Sequence, residues 1–166
     1  MKAPISDFII KLCAESEGNL HDINHFLKVY AFAKCIGEKE GLDEYSQSLL
    51  ETAAIVHDIA CPLCRVKYGS TEGSLQEREG AALTEEFLAP FELSSDFVER
   101  VVWLVAHHHT YTDVSLAEHR ILLEADFLVN AEESHYSREQ IEAAGRSFFR
   151  TKTGLELLRS IYLSEV

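Results

Sequence analysis

The sequence has 166 residues, with 28 acidic and 15 basic side chains and a formal net charge of −13 at pH 7. A chain of this length usually forms one domain that buries about two-thirds of its unfolded surface. We therefore expect a single domain over residues 1–166. The acidic surface repels nucleic-acid phosphates, which argues against nucleic acid as a partner.

Cysteine usage and hydropathy predict a cytoplasmic protein with no membrane partner. The N-terminal segment carries charges on both sides of a short apolar run, unlike a secretion signal. Polar residues interrupt every apolar run before the roughly 20 residues needed to span a bilayer. We interpret Cys61 and Cys64 of the Cys-Pro-Leu-Cys motif as ordinary reduced thiols, because no second pair of zinc ligands is visible.

Helical periodicity dominates the chain, and strand-like alternation is scarce. Asp43 and Ser94 are predicted N-caps, and Gly41 is suited to end a helix. The predicted fold class is all-α, a single-domain helical bundle, with a core over residues 20–131 and C-terminal helices over 137–163 packing on it. The predicted helices lie near 3–16, 22–40, 44–59, 74–89, 95–109, 116–131, 137–147 and 152–163, and the longest irregular stretch lies near 61–73.

Four polar residues fall where helical spacing points them into the core. His25 shares a helix face with the apolar Val29, at a spacing of four. His57 and Asp58 end the apolar segment AAIVHDIA, and Asp126 interrupts ILLEADFLVN. Burial of such groups without partners is unfavourable.

Two imidazoles and two carboxylates drawn from three helices form a mixed nitrogen and oxygen donor set. Facing helices of a bundle commonly supply such ligands. The set suits Mn, Fe, Ni, Zn or Mg better than a sulfur-preferring ion. We therefore expect one divalent metal ion held by His25, His57, Asp58 and Asp126.

Three motifs occur in a fixed order: NHFLKVYAFA with His25, AAIVHDIA with the adjacent His57 and Asp58, and LLEADFLVN with Asp126. Over about residues 20–131 they resemble the HD-domain superfamily of metal-dependent phosphohydrolases. The resemblance implies an all-α fold, one or two divalent ions held by the matching residues, and hydrolysis of phosphomonoesters, nucleotides or phosphodiesters. The stretches QEREGAALTEEFL, HHHTYTD and FFRTKTGLELL are also similar to a small bacterial single-domain subgroup, which implies no particular substrate.

One departure from the superfamily pattern concerns a second ion. Members with two metals usually carry a histidine four residues before the glycine of the next helix, where this chain has Gln76 before Gly80. We expect one firmly held metal. A second would depend on Glu77, Glu79 or the cluster His107–His109.

The histidine cluster follows the apolar run VVWLVA and admits two interpretations. It is either a solvated helix end that interacts with the helix dipole, or a wall of the site. In the second case His107 and His108 would supply a metal ligand, a proton donor to the leaving group or a phosphate contact. Spacing does not decide which of the three histidines faces the site.

A phosphate in so acidic a protein needs counter-charge. We predict Lys67 as the first phosphate contact and Arg78 as the second, with Arg65 and Lys152 as further candidates. The other predicted substrate contacts are Gln76, His109 and Tyr111.

The predicted function is hydrolysis of a small phosphorylated metabolite or nucleotide by a metal-activated water, with Asp58 also orienting that water. One alternative is a catalytically silent module that binds a metal or nucleotide and signals to a partner. Others are an oxygen-using di-iron site and a core whose polar groups only hydrogen-bond one another. The chain is expected to be a monomer or a homodimer.

Overall fold

The structure, a computed structural model, describes residues 3–164. These residues form helices and no strand, which confirms the all-α fold class. Within the same range, every helix is too short or too polar to cross a bilayer. In chain order the helices are α1 (Ile5–Glu15), α2 (Leu20–Glu40), α3 (Glu44–Val56), α4 (Cys61–Tyr68), α5 (Gly73–Leu88), α6 (Ser95–Ala106), α7 (Ala117–Glu133), α8 (Arg138–Ser147) and α9 (Lys152–Leu158), followed by a π-helical segment (Arg159–Leu163).

Local chemistry explains where several helices begin and end. The Asp43 side chain accepts a hydrogen bond from the Ser46 amide, and the Ser94 side chain accepts one from the Phe97 amide. Both residues are therefore the N-caps that the sequence predicts. Gly41 ends α2 at φ 79°, in the left-handed conformation that glycine adopts without steric cost.

The segment predicted as irregular, 61–73, is largely helical, so that prediction was wrong. Helix α4 occupies its first eight residues, with Pro62 in the first turn and Gly69 ending the helix at φ 65°. Proline is pre-organised for a first helical turn, and glycine suits the residue after the last one. The next helix, α5, begins at Gly73 after an N-cap at Glu72, whereas the prediction began it at residue 74.

Helices α2, α3 and α7 pack against one another and carry the centre of the core. Helix α3 also contacts α6, α5 pairs with α6, and α9 lies across α2 and α7. This arrangement brings the inward faces of α2 and α7 to the C-terminal end of α3. Large side chains from several helices fill the core, among them Phe8, Ile36, Leu50, Leu104 and Leu122.

A buried carboxylate attaches α9 to α7. Glu124 of α7 is fully buried, and its Oε1 accepts the backbone N–H groups of Arg150 at 2.7 Å and Thr151 at 3.0 Å. The Thr151 hydroxyl also hydrogen-bonds the carboxylate and caps α9 at Gly154. These bonds attach the start of α9 to α7, so Glu124 has a structural role.

Candidate metal centre

Three elements bring the four predicted ligands to one point. His25 lies in α2, and Asp126 lies in the middle of α7. His57 and Asp58 directly follow the last residue of α3, Val56, where the chain leaves the core. Because α2 packs on both α3 and α7, the four side chains converge.

The converging atoms are His25 Nε2, His57 Nε2, Asp58 Oδ2 and Asp126 Oδ1. His25 Nε2 lies 3.1 Å from His57 Nε2, 3.1 Å from Asp58 Oδ2 and 3.2 Å from Asp126 Oδ1. His57 Nε2 lies 3.6 Å and 3.4 Å from the same two carboxylate oxygens. Ligands about 2.1 Å from a shared ion are separated by about 3.0 Å in an octahedron and about 3.4 Å in a tetrahedron. The spacing therefore fits a coordination shell.

The hydrogen bonds of the two imidazoles fix which nitrogen faces the centre. His25 Nδ1 is 2.7 Å from Glu133 Oε2, and His57 Nδ1 is 2.8 Å from the Ala54 carbonyl oxygen. A carboxylate and a carbonyl accept hydrogen bonds, so each Nδ1 carries the hydrogen. Each Nε2 then presents its lone pair to the centre, as in histidines that bind metals.

The donor set requires a cation at the centre. Two Nε2 lone pairs 3.1 Å apart repel each other unless a proton or a metal ion lies between them. Asp126 Oδ1 is buried and lacks a well-oriented hydrogen-bond partner among residues 3–164, although His25 Nε2 is close. Such an unsatisfied buried oxygen is unfavourable unless it binds an ion. The residues present therefore fit a divalent metal.

Charge balance supports the same conclusion. Burial alone would lower the pKa of His25, but the carboxylates of Asp126 and Asp58 outweigh it and raise that pKa to about 11. The surrounding histidines hold the pKa of Asp58 and that of Asp126 below the usual range, despite burial that opposes this shift. Without a metal, the site thus holds two carboxylates and a protonated His25.

We expect metal binding to release a proton from this site. The pKa of His25, at about 11, keeps the ring protonated near neutral pH, whereas a ligand must be neutral. Raising the pH should therefore tighten Mn²⁺ binding, by up to about tenfold per pH unit for each proton released. Calorimetric titrations in buffers of different ionisation enthalpy count the protons; a count of zero would contradict the prediction.

Glu133 contacts a predicted ligand, although the sequence did not indicate it as part of the site. It ends α7, orients His25 through Nδ1, and its Oε1 lies 2.9 Å from Lys28 Nζ. It follows Asp126 by seven residues, which places both on one face of α7. That spacing was the available signal, but the predicted helix ended at residue 131. The carboxylate fixes the ring orientation and increases the basicity of the ligating nitrogen.

Replacing Glu133 with glutamine should weaken metal affinity by about 10–100-fold, because the ring loses its charged hydrogen-bond acceptor. Glu132→Gln is the matched control, since this neighbouring side chain is largely exposed and contacts Lys28 at 3.4 Å rather than a ligand. Competition with a metal-binding dye measures both affinities. Equal metal affinities in the two variants would show that Glu133 does not contribute to metal binding by orienting His25.

Accessibility differs sharply among the four ligands. The Asp58 side chain is 29% exposed, compared with 6% for His25, 0% for His57 and 3% for Asp126. Asp58 also lines a cavity of about 600 Å³ between α1, α2, α4 and α5. A ligand from solvent would therefore reach the centre from the Asp58 side.

A second group of donors meets the other oxygen of the same aspartate. His108 Nε2 lies 3.4 Å from Asp58 Oδ1, and His108 Nδ1 donates to the Val105 carbonyl at 2.6 Å. His109 joins this group, with its ligand atom within 4.8 Å of the other two, in space that Gly73 leaves by lacking a Cβ. The Nε2 atoms of both histidines are buried without a hydrogen-bond partner among the described residues. This group can hold a second cation beside the first.

His107, predicted as a catalytic residue, points elsewhere. Its ring stacks on Trp103 with centroids 4.1 Å apart, and its Nδ1 donates to the Trp103 carbonyl at 2.7 Å. The backbone turns after α6 ends at Ala106, so consecutive histidines face opposite sides. The structure thus brings His108 to Asp58 and directs His107 to the side of Trp103.

The two acidic candidates for a second ion have other partners. Glu77 Oε1 accepts the His109 amide at 3.0 Å and the Thr110 hydroxyl at 2.9 Å. Glu79 hydrogen-bonds the Tyr68 hydroxyl and lies 3.0 Å from Lys67 Nζ. Both carboxylates therefore stabilise turns and helix contacts around the centre.

The predicted substrate contacts do not line the cavity beside Asp58. Lys67 pairs with Glu79 because 61–68 is a helix rather than a loop, and this helix turns Lys67 toward α5. Arg78 lies 5.1 Å above the Tyr68 ring. The structure therefore places Lys67 on a helix rather than in an irregular stretch, and the phosphate contacts of Lys67 and Arg78 stay predictions.

The remaining predicted contacts also have other surroundings. Gln76 donates to the Thr71 carbonyl at 2.7 Å, and its side chain is buried. Tyr111 packs on Phe148 with ring centroids 4.7 Å apart, in a separate open groove beside α7 and α8. His109 is the one member of the set that the structure places next to the donor atoms.

The cysteines of the Cys-Pro-Leu-Cys motif are buried free thiols at the start of α4. Burial raises the pKa of Cys61, with a further contribution from the Asp58 carboxylate, and burial also raises the pKa of Cys64. A protonated thiol is a poor nucleophile and metal ligand. The pair therefore contributes packing.

In a comparison with protein families, the family model described as HD domain matches residues 22–142, more than half of the chain. Comparison with curated proteins and with solved structures gives no significant match. The matched range contains the four converging ligands, His108 and Glu133. HD domains are generally metal-dependent hydrolases, and the His/Asp cluster is compatible with metal binding. On this match and this geometry, the chain belongs to the HD-domain family.

Proposed function

We propose that this chain is a metal-dependent phosphohydrolase that cleaves a phosphoester bond of a small metabolite or nucleotide. The observation that carries the proposal is the position of the His25 and His57 Nε2 atoms, which lie 3.1 Å from each other and 3.1–3.6 Å from Asp58 Oδ2 and Asp126 Oδ1, beside an open cavity. A structural metal site is normally closed, whereas a catalytic site keeps an accessible position. The exposure of Asp58 favours the catalytic type.

A divalent ion bound by these residues would polarise a phosphoryl oxygen and make a water molecule more acidic. The chain's own groups supply positioning and proton transfer. His25 and His57 are held by Glu133 and Ala54, so their geometry is fixed before substrate arrives. Asp58 places Oδ2 toward the centre and leaves Oδ1 to accept a hydrogen bond from the attacking water.

His108 can hold a proton against Asp58 Oδ1. Burial lowers the pKa of His108, but the Asp58 carboxylate outweighs burial and raises it. With Nδ1 donating to Val105, a proton at Nε2 points at Asp58, 3.4 Å away. This pair can take up the proton of the attacking water or return it toward the leaving oxygen, without a covalent enzyme intermediate.

Metal removal tests the proposal. Protein purified without chelator should contain close to one transition metal per chain, and it should release phosphate from an aryl phosphate, a nucleotide or a phosphodiester. Chelation should reduce this activity by at least about 100-fold, and added Mn, Fe or Ni should restore it. Elemental analysis and a phosphate-release assay measure the two quantities on the same sample.

Each outcome has a defined meaning. Stoichiometric metal with no turnover of any phosphoester would contradict hydrolysis and favour a sensing module. Failure to bind any of Mn, Fe, Ni, Zn or Mg would contradict both the hydrolase and a metal-sensing module, and would favour a core in which the polar groups only hydrogen-bond one another.

A further inference from the structure

The cavity beside Asp58 is large and mainly apolar. Its volume is about 600 Å³, and apolar side chains from five segments form most of its wall: Leu12, Phe26, Ile55, Leu63, Leu83 and Phe87. An apolar cavity of about 150 Å³ is sufficient to bind benzene. The space next to Asp58 can thus hold an organic group several times larger than a single ring, in addition to a phosphoryl group.

The charges of the wall are unsuited to a polyphosphate. Among the described residues that line the cavity, Lys11 is the only cation, and it is accompanied by Glu15, Asp22 and Glu86 as well as Asp58. Lys11 Nζ already lies 3.1 Å from Glu15 Oε1, and it donates to the Phe87 carbonyl at 3.0 Å. Phosphates beyond the one at the metal would therefore face carboxylates without compensating charge.

The wall also has few groups that could recognise a nucleobase. Base recognition uses side-chain amides, other donors and acceptors, or stacking aromatics. The described lining contains no asparagine or glutamine, and its one hydroxyl, Ser16, bonds the Leu12 carbonyl within α1 at 2.7 Å. Asp22 is occupied by Arg65. Of the two aromatic rings in the lining, Phe87 has Lys11 Nζ over its ring at 4.0 Å from the centroid, and Phe26 is only 3% exposed. Apolar burial is therefore the main interaction that this wall offers.

From these observations we infer that the substrate is a phosphomonoester of an apolar alcohol, alkyl or aryl. Its phosphoryl group lies at Asp58, and its hydrocarbon group occupies the cavity between α1, α4 and α5. The inference rests on the proposed phosphohydrolase function and narrows its substrate class. It predicts that selectivity follows hydrocarbon size, because burial of each methylene favours binding.

Binding of alkylphosphonates tests the inference without requiring turnover. Methyl-, butyl-, hexyl- and octylphosphonate are titrated into Mn²⁺-loaded protein by calorimetry. The dissociation constant should fall by about threefold to fourfold per methylene until the cavity is filled. Affinity independent of chain length, or tighter binding of a nucleoside triphosphate than of octylphosphonate, would overturn the inference.

Two variants on α4 test whether the hydrocarbon group binds in this cavity. Leu63 lines the cavity and is 37% exposed, whereas Val66 lies one turn later, is 89% exposed and does not line it. Leu63→Asp should weaken octylphosphonate binding by at least about fivefold and leave methylphosphonate unchanged, because only the longer chain reaches this wall. Val66→Asp should change neither. An equal effect of both variants on octylphosphonate would place the hydrocarbon elsewhere.

A parallel assay of alkyl phosphate hydrolysis separates this inference from the proposed function. If affinity and kcat/KM both rise with hydrocarbon chain length, the apolar substrate class and the hydrolase function are both supported. Chain-length-dependent binding without hydrolysis supports the cavity assignment and overturns the hydrolase. Hydrolysis without dependence on chain length overturns the apolar substrate class and leaves the hydrolase intact.

Discussion

Replacing Asp58 with asparagine is expected to reduce kcat/KM for a phosphoester by at least about 10³-fold and to lower metal content. Asp58 is the one carboxylate that contacts both donor groups, with Oδ2 near His25 and His57 and Oδ1 near His108. Asparagine keeps the shape and removes the charge. The change therefore affects metal binding, water orientation and proton transfer together.

The matched control for Asp58→Asn is Asp113→Asn. Asp113 is exposed at φ 55°, a conformation that asparagine also adopts, and it lies in the turn between α6 and α7. Metal content, steady-state kinetics and the thermal midpoint should be measured for both variants. A folded Asp58→Asn protein with wild-type kcat/KM would exclude the proposed site, whatever its metal content.

His108→Ala is expected to lower kcat by about 10²–10⁴-fold, the usual range for loss of a proton-transfer group. His108 is fully buried and its Nε2 faces Asp58 Oδ1 at 3.4 Å. Its neighbour provides the control, since the His107 ring stacks on Trp103. His107→Ala should change kcat by less than about threefold.

Metal stoichiometry distinguishes the two roles open to His108. If the wild-type protein binds two ions and His108→Ala binds one, His108 is a ligand of a second ion; if both bind one, the loss of kcat reports proton transfer. If His107→Ala lowers kcat as much as His108→Ala does, contact with Asp58 does not explain the effect of His108, and its proposed role is wrong.

Much of the fold follows from local sequence signals. Helical periodicity predicts the all-α class, and side-chain caps such as Asp43 and Ser94 fix helix starts because each satisfies an amide within three residues. The prediction was wrong at 61–68, which it included in the irregular stretch near 61–73. There Pro62 and Gly69 define a short helix whose inward side is Cys61 and Cys64.

The sequence by itself also indicated that His25, His57, Asp58 and Asp126 point toward one site, since polar groups on apolar helix faces are unfavourable without partners. Tertiary packing alone decided what surrounds them. Contacts between distant segments, such as His25 with Glu133 across 108 positions, leave no local pattern. Which histidine after α6 faces Asp58 also depends on how whole helices pack, and so does the apolar cavity beside α1.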